Sequence, residues 1–426
     1  MTRLTDLGKQ DLDDLHAQVR EQYTAFKSRG LSLNMARGKP APEQLDLAEA
    51  LLDLPGGGNH TASDGTDCRN YGGLTGLAEV RGLFGEILGA APENVIVAGN
   101  ASLALMHDHI AFSLLEGNPD SPEPWGRGAV KFLCPVPGYD RHFTICEALG
   151  IEMINVSMDE QGPDMDEVES RVNADPAVKG IWCVPKYSNP SGAIYSDEVV
   201  HRLAEMRTAA PDFRIFWDNA YAVHHLTSER VEIANLLEAC ERAGNANRAL
   251  MFGSTSKITF AGGGMAAVAA SPANVKWLLE RMSARTIGPD KINQLRHARL
   301  IPDLEALHRL MDAHRQIMAP KFGAVEDAFD RLLREPEVAR WTRPKGGYFI
   351  SVDGPAGTAR RVVELAKDAG LVLTPAGAAF PYGRDPEDRH LRVAPTFPAL
   401  EEVRQAAEGI AVCLLLAATE HEKARR

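Results

Sequence analysis

Residues 249–270 read ALMFGSTSKITFAGGGMAAVAA. Two apolar runs, Ala249–Gly253 and Met265–Ala270, flank a polar turn that carries three glycines and one lysine, Lys257. Short apolar runs bounded by Gly and Ser are typical of strands buried on both faces. Because an ammonium group is costly to bury without a partner, a lysine at the end of such a strand needs a chemical explanation.

Five earlier apolar runs share this character, and longer amphipathic segments separate them. They are Asn94–Ala98, Ala129–Cys134, Ile151–Val156, Gly180–Val184 and Phe213–Trp217. Strands that alternate with helices in this way predict an α/β fold with a mainly parallel sheet. We therefore expect a large domain over residues 51–301 that contains a seven-stranded sheet.

The rest of the 426-residue chain predicts a second, smaller α+β domain. A long amphipathic pattern over 302–333, with an interruption expected at Pro320, is predicted to link the two domains, and residues 302–426 complete the smaller one. The first 50 residues are helical in pattern up to Arg29. They contain too few apolar residues for a core of their own, so they are expected to join the smaller domain.

Composition excludes several classes of function. The formal net charge of −12 disfavours nucleic-acid binding, which requires a basic surface. The amino terminus has no apolar segment typical of a secretory signal, and the longest late apolar run, 410–418, is too short to span a membrane. The six scattered cysteines have no metal-ligand spacing and predict a reduced, cytoplasmic location.

Two histidine pairs are also poor metal sites. His107 and His109 lie two apart on a predicted helix and so point to different faces. His224 and His225 are expected to pack in the core or behind a site. No metal is predicted.

Polar residues follow most of the predicted strands, at the sheet edge where ligands of α/β proteins bind. The first strand leads into a predicted helix start, which either caps itself or binds an anion. Each of the others alone is compatible with a turn, a cap or a solvated side chain. Together they predict a site, and they are Asn100, Ala101, Ser102, Tyr139, Asn189, Asp218, Tyr221, Ser254 and Lys257.

The order of these residues resembles a known enzyme family. Tyr139, Asn189-Pro-x-Gly, Asp218-x-x-Tyr221 and Ser254-x-Ser-Lys257 are similar to the motifs of class I/II aminotransferases, which are fold-type I pyridoxal-phosphate enzymes. Tyr71 in NYGGLTGLAEVRGLFGEILG and Arg392 in LRVAPTFP extend the resemblance over residues 33–398. Four further motifs are most similar to those of the bacterial aspartate aminotransferase subgroup: LNMARGKP, PKYSNPSG, TSKITFAGGG and IGPDKINQLRH.

The resemblance implies pyridoxal 5'-phosphate as the cofactor and gives each residue a role. Lys257 would bind the cofactor aldehyde as a Schiff base and later move a proton. Asp218 would keep the pyridine nitrogen protonated. Tyr221 and Asn189 would donate hydrogen bonds to the phenolic oxygen, and Tyr139 would stack on the ring.

The same resemblance implies a phosphate site formed by Asn100, Ala101, Ser102 and Ser254, with Tyr71 contributed by a second subunit. A homodimer with shared active sites is therefore expected. Many relatives carry an arginine where this chain has Met265. Either Lys291 or the backbone amides of Gly262–Gly264 would replace the missing charge.

Substrate binding is expected to need two cations. Arg392, with Asn189, matches the clamp for the α-carboxylate, because a guanidinium binds a carboxylate with two parallel hydrogen bonds. For the substrate's side-chain carboxylate, the first candidate is Arg37, beside Gly38. This assignment is evenly balanced against the alternative that Arg37 is a solvated surface residue. Arg285 and Lys291 are the next candidates.

The predicted reaction moves the amino group of L-aspartate to 2-oxoglutarate, giving oxaloacetate and L-glutamate by a ping-pong mechanism. The alternatives are an aminotransferase for aromatic or 2-aminoadipate substrates, a pyridoxal-phosphate β-lyase and a pyridoxal-phosphate decarboxylase. A transcriptional regulator is disfavoured, because it would need a basic helical domain ahead of this fold and residues 1–30 have no such pattern. A phosphate-loop nucleotide binder would need its lysine after the glycines, whereas Lys257 precedes them.

Overall fold

The computed structural model describes residues 3–335 and 337–426. The α-helices in these ranges are α1 (Lys9–Ser28), α2 (Pro42–Asp46), α3 (Ala78–Leu88), α4 (Ser102–Glu116), α5 (Asp140–Ala148), α6 (Met165–Ala174), α7 (Asp197–Glu205), α8 (Leu236–Arg242), α9 (Pro272–Arg285), α10 (Lys291–Leu300), α11 (Leu304–Leu332), α12 (Ala359–Asp368) and α13 (Leu400–Arg425). The strands are β1 (Leu33–Asn34), β2 (Val95–Val97), β3 (Lys131–Val136), β4 (Glu152–Asp159), β5 (Gly162–Pro163), β6 (Val178–Cys183), β7 (Arg214–Asp218), β8 (Ala249–Ser254), β9 (Ala266–Ala270), β10 (Arg340–Trp341), β11 (Ile350–Asp353), β12 (Leu371–Val372) and β13 (His390–Val393). Short 3-10 helices cover Leu4–Asp6, Glu49–Leu52, Pro92–Asn94, Trp125–Arg127, Ala246–Arg248 and Pro381–Gly383.

The central sheet has the strand order β2-β9-β8-β7-β6-β3-β4-β5. The strands β8, β7, β6, β3 and β4 are mutually parallel, whereas β9 is antiparallel to both of its neighbours. All seven predicted strands are present, but the predicted number of strands was wrong. The eighth, β5, pairs antiparallel with β4 through two residues, Gly162 and Pro163, too few to form an apolar run.

Both faces of this sheet are buried, which explains why its strands read as continuous apolar runs. Trp217 and Met251 face one core, with side chains of α3, α6, α7 and α8. Phe216 and Phe252 face the other, with side chains of α4, α5 and α9. The carboxyl ends of β6, β7 and β8 therefore lie side by side, and the turns that follow them form one edge.

A second group of elements packs beside this edge. β11 pairs antiparallel with β10 and β13, and β1 pairs in parallel with β12, joining Leu33 to Leu371. Side chains of α1, including Val19 and Phe26, share one core with those of α11 and α13. The domain boundaries at residues 51 and 302 stay predictions.

The expected interruption at Pro320 is wrong, because α11 runs unbroken from Leu304 to Leu332. Pro320 lies on the exposed side of the helix, where its ring faces solvent, while Met318 and Phe322 are buried on either side of it. Burial of these two side chains offsets the roughly 3 kcal/mol that an interior proline costs a helix. In the described ranges, no helix combines the length and apolar character needed to cross a membrane.

Candidate active site

The turn that carries Lys257 is held rigidly at the end of β8. Thr255 bonds Met265 twice, because its N–H donates to the Met265 carbonyl and its Oγ1 accepts from the Met265 N–H, each at 2.8 Å. Two further groups lie on the carbonyl of Lys257 itself: the Tyr348 hydroxyl donates to it at 3.3 Å, and His224 Nε2 lies 3.3 Å away. The backbone of Lys257 is thus fixed while its side chain is free to point into the site.

The Lys257 amine lies among aromatic rings. Its Nζ is 4.9 Å from the ring centre of Tyr221 and 5.8 Å from that of Tyr348. Within the described residues it has no hydrogen bond or ion pair. Burial lowers the pKa of this amine, and the negative charge of Asp218 opposes the shift. A lysine with a lowered pKa is a better nucleophile and base near neutral pH, because more of it is unprotonated.

Asp218 ends β7 and is 3% exposed. His142 Nε2 lies 3.0 Å from its Oδ2, and the His142 ring stacks on Trp182 with 4.3 Å between ring centres. The other carboxylate oxygen, Oδ1, is buried and has no partner among the described residues. A buried carboxylate with one unpaired oxygen can accept a hydrogen bond from a protonated ring nitrogen.

Two of the predicted ring-binding residues lie beside this carboxylate and amine: Tyr139 contacts His142, and Tyr221 lies next to Lys257. Burial raises the pKa of Tyr221 well above its ordinary value, so its hydroxyl stays protonated and can donate. Burial also raises the pKa of Tyr139 to about 12. The Tyr139 ring meets His142 edge-on at 4.9 Å, and Asn189 is 3% exposed.

Arg392 projects from β13, so the second group of elements supplies a cation to the site. Its Nη1 donates to Asp140 Oδ1 at 2.8 Å and lies 3.5 Å from Asn189 Oδ1. The guanidinium carbon is 5.0 Å from the ring centre of Phe349. Gly38 lies against that ring, and a Cβ at position 38 would overlap it.

Three of the predicted phosphate residues, Asn100, Ala101 and Ser102, lie at the start of α4. Its N-cap, Ala101, has no side chain that could cap the helix, so the N-terminus is open to an anion at Ser102. Ser256 Oγ donates to the carbonyl of Asn100, and Asn100 Nδ2 lies 3.5 Å from the Gly262 carbonyl. Ser254 ends β8 and is half-buried.

Lys291 and Tyr71 form a separate unit. Lys291 is 3% exposed, and its Nζ donates to the carbonyls of Asn70 and Gly72 at 2.7 and 2.6 Å. These two peptides flank Tyr71, whose residue surface is 82% exposed. The Lys291 amine is therefore already engaged by a backbone turn.

The remaining predicted cations differ in their surroundings. Arg37 is exposed and forms no ion pair with any described residue. Arg285 pairs with Asp108 at 3.1 Å. Met265 is buried, and the carbonyls of Gly263 and Gly264 accept hydrogen bonds from Asn293.

Sequence reasoning missed a buried polar network behind the lysine turn. Gln44 Nε2 donates to His314 Nδ1 at 2.9 Å and to the Tyr348 hydroxyl at 3.2 Å, while His314 Nε2 lies 3.0 Å from the Ile258 carbonyl. Burial lowers the pKa of His314 to about 4, so the ring is neutral and fits this pattern. Nothing local in the sequence signals these contacts.

His142 was also missed, although a signal existed. It lies three residues after Tyr139 at the start of α5, and residues three apart share a face of a helix. Of the histidines predicted not to bind metal, His109 is buried against Trp277 and His107 is exposed. Over the described ranges, no group of three potential metal ligands occurs.

Comparisons with known proteins cover nearly the whole chain. The sequence model of a family described as Aspartate amino-transferase matches residues 7–426. A putative aminotransferase from Mycolicibacterium smegmatis is 54% identical over 97% of both chains. An aspartate aminotransferase from Corynebacterium glutamicum is 49% identical over 98% of this chain and 97% of its own.

Solved structures agree with these sequence matches. The crystal structure of an aspartate transaminase from Corynebacterium glutamicum has a TM-score of 0.97 at 48% identity, over 99% of both chains. The structure of LysN, an alpha-aminoadipate aminotransferase from Thermus thermophilus complexed with N-(5'-phosphopyridoxyl)-L-leucine, has a TM-score of 0.73 at 23% identity. It covers 94% of this chain and 96% of its own, and it is similar in fold.

Proposed function

The chain belongs to the aspartate aminotransferase family, and we propose that it moves the amino group of L-aspartate to 2-oxoglutarate, giving oxaloacetate and L-glutamate. The observation that carries this proposal is that an unpartnered lysine amine and a guanidinium both lie near Tyr221. Lys257 comes from the edge of the large sheet and Arg392 from β13, and Asn189 lies beside Arg392. An amino acid needs both groups, because its α-carboxylate must be held while its Cα loses a proton.

The residues around Lys257 fit pyridoxal 5'-phosphate as the cofactor. The unpaired Asp218 Oδ1 suits a protonated ring nitrogen, and the uncapped start of α4 suits a phosphate. When bound, this cofactor supplies an aldehyde that reacts with amines and a ring that accepts electrons from the substrate Cα. Lys257 would hold it covalently until a substrate amine takes its place.

The chain's own groups then perform the proton chemistry. The Lys257 Nζ, whose pKa burial lowers, would accept the proton from the substrate Cα and later return it. Asp218, oriented by its His142 contact, would keep the ring nitrogen of the cofactor protonated. Tyr221, held protonated by burial, and Asn189 would donate hydrogen bonds to the phenolic oxygen. Tyr139 would pack against the ring.

Recognition of the phosphate requires more than the start of α4. Asn100, Ala101, Ser102 and Ser254 supply donors from this chain, and we place Tyr71 of a second copy at the same phosphate. The 82% exposure of Tyr71 supports a role outside its own subunit. We propose a homodimer with shared sites for this reason. Six free cysteines, all buried, support a reduced cytoplasmic location.

The substrate's side-chain carboxylate calls for one further cation. Arg37 supports this role because it has no ion-pair partner among the described residues and lies beside Gly38, which contacts the Phe349 ring under Arg392. Arg285 is weaker, since Asp108 already neutralises it.

A spectroscopic half-reaction tests the function. We expect the protein purified with pyridoxal phosphate to be yellow and to lose this absorbance when aspartate is added without a 2-oxo acid. Alanine, phenylalanine, 2-aminoadipate and cystathionine serve as comparison substrates. Conversion with one of these but not with aspartate would refute the aspartate assignment and favour an alternative.

The covalent role of Lys257 has its own control. Borohydride reduction followed by mass spectrometry should attach the cofactor at Lys257 in the native protein and leave Lys257→Ala unmodified. Attachment at another lysine would contradict the assignment.

Shared sites are tested with mixed subunits. A Tyr71→Phe chain combined with a Lys257→Ala chain should recover part of the activity, because a hybrid dimer contains one intact site. Self-sufficient subunits would show no recovery.

A further inference from the structure

The guanidinium predicted to bind the substrate carboxylate already binds a carboxylate of its own chain. Asp140 Oδ1 lies 2.8 Å from Arg392 Nη1, and the pair forms a single contact rather than a two-pronged one. The side chain of Arg392 is 8% exposed, whereas that of Asp140 is 35% exposed. Arg392 Nε is buried and unpaired among the described residues.

The position of this contact matters. The same nitrogen, Arg392 Nη1, lies 3.5 Å from Asn189 Oδ1, so the Asp140 carboxylate occupies space on the guanidinium next to the other group assigned to the substrate carboxylate. Two carboxylates in that space would repel each other. A substrate carboxylate that binds Arg392 together with Asn189 would therefore compete with Asp140 for the guanidinium.

We propose that Asp140 is a built-in competitor, which neutralises Arg392 while the site is empty and swings away when a substrate carboxylate arrives. This inference rests on the proposed role of Arg392 as the carboxylate clamp. A buried guanidinium without an anion is costly, so in the empty site Asp140 stabilises the fold by neutralising Arg392. A planar carboxylate displaces it because two parallel hydrogen bonds are stronger than the one that Asp140 forms.

The surroundings of Asp140 favour such an exchange. It is the first residue of α5, where the helix dipole stabilises a negative charge after it leaves Arg392. Its partial exposure gives it a path to solvent. The Phe349 ring, 5.0 Å from the guanidinium carbon, holds Arg392 in place meanwhile.

Replacement of Asp140 by Asn in the holoenzyme tests the proposal. Loss of the competing charge should lower the KM of both aspartate and 2-oxoglutarate by about 5- to 10-fold, the equivalent of one hydrogen bond of ordinary net strength that no longer has to be broken. The kcat should stay within about threefold, because Asp140 takes no part in the proton transfers. Calorimetric titration with maleate, a dicarboxylate without an amine, should show a similarly lowered Kd.

Asp120→Asn is the matched control. Asp120 pairs with Arg214 at 2.9 Å, with side-chain exposures of 34% and 1%, but Arg214 begins β7 and lies at the opposite end of the strand from Asp218. This variant should change neither the KM values nor the maleate Kd.

The results separate this proposal from the function on which it rests. A higher KM and a weaker maleate Kd in Asp140→Asn would mean that Asp140 orients Arg392, which overturns the proposal, and unchanged values would overturn it as well. Maleate binding that persists in Arg392→Ala would remove its premise. If Asp140→Asn tightens maleate binding but the native protein fails to convert aspartate, the competitor role stands and the assigned reaction fails.

Discussion

Replacement of Lys291 by Met should loosen the turn that carries Tyr71. The buried Lys291 amine donates to the carbonyls of Asn70 and Gly72, at 2.7 and 2.6 Å, and so holds the peptides on both sides of Tyr71. Met has nearly the same length and shape but no donor. The substitution therefore removes two hydrogen bonds and little packing.

The expected magnitude follows from those two bonds. A hydrogen bond from a charged donor contributes a net ~1.5–3 kcal/mol. About half of the sum is offset, since the variant no longer buries an ammonium and the freed carbonyls of an exposed turn can bind water. A loss of about 1.5–3 kcal/mol in the free energy of local opening remains, which corresponds to roughly 10- to 150-fold faster amide exchange.

Hydrogen exchange followed by mass spectrometry measures this effect in peptides that span residues 68–76. Lys345→Met is the control, because Lys345 forms an exposed ion pair with Glu229 and contributes little to stability. Exchange in 68–76 that is as slow in Lys291→Met as in this control would refute the reasoning.

Mixed subunits then separate the two roles considered for Lys291. If it holds Tyr71 for a neighbouring subunit, Lys291→Met should lower activity when it is placed on the Lys257→Ala chain of a hybrid dimer. If it instead balances the phosphate charge within its own subunit, the loss should occur when it is placed on the chain that keeps Lys257.

Three further predictions follow from the site. Asp218→Asn should lower kcat by at least about 100-fold, because a neutral amide would not keep the ring nitrogen of the proposed cofactor protonated, and steady-state kinetics checks this. Burial lowers the pKa of His314 from 6.5 to about 4. Because the unfolded chain takes up a proton at His314 first, the folded state loses about 3 kcal/mol of stability as the pH falls from 6.5 to 4. Urea unfolding of His314→Gln at several pH values should show a smaller loss of stability over this range. Gly38→Ala should raise the KM of aspartate by roughly 10-fold, because its Cβ overlaps Phe349 and displaces the ring beneath Arg392; an unchanged KM would show that the ring is not needed.

The sheet and the residues at its edge are readable from the sequence for a local reason. Parallel strands buried on both faces appear as uninterrupted apolar runs, and the residue after each run lies at the carboxyl edge. Lys257 and Asp218 were located in this way, and the structure brings Tyr221 and Asn189 to the same edge. The sequence did not predict the two-residue strand β5 or the unbroken course of α11 through Pro320. In both places tertiary pairing and packing outweigh the local sequence signals.

Contacts between distant parts of the chain could not be read in this way. Asp140 and Arg392 are 252 residues apart, and Lys291 is 221 residues from Asn70. The environment that lowers the pKa of Lys257 likewise exists only after the surrounding elements pack against its turn.

The sequence by itself determined which chemical groups this protein possesses and which strand each one follows, because strand periodicity and turn composition are local properties of the chain. Only the tertiary structure decided how those groups are paired. Whether a carboxylate meets a ring nitrogen, a guanidinium or water depends on how the elements pack against one another, and packing is set by apolar surfaces that are distant in the sequence.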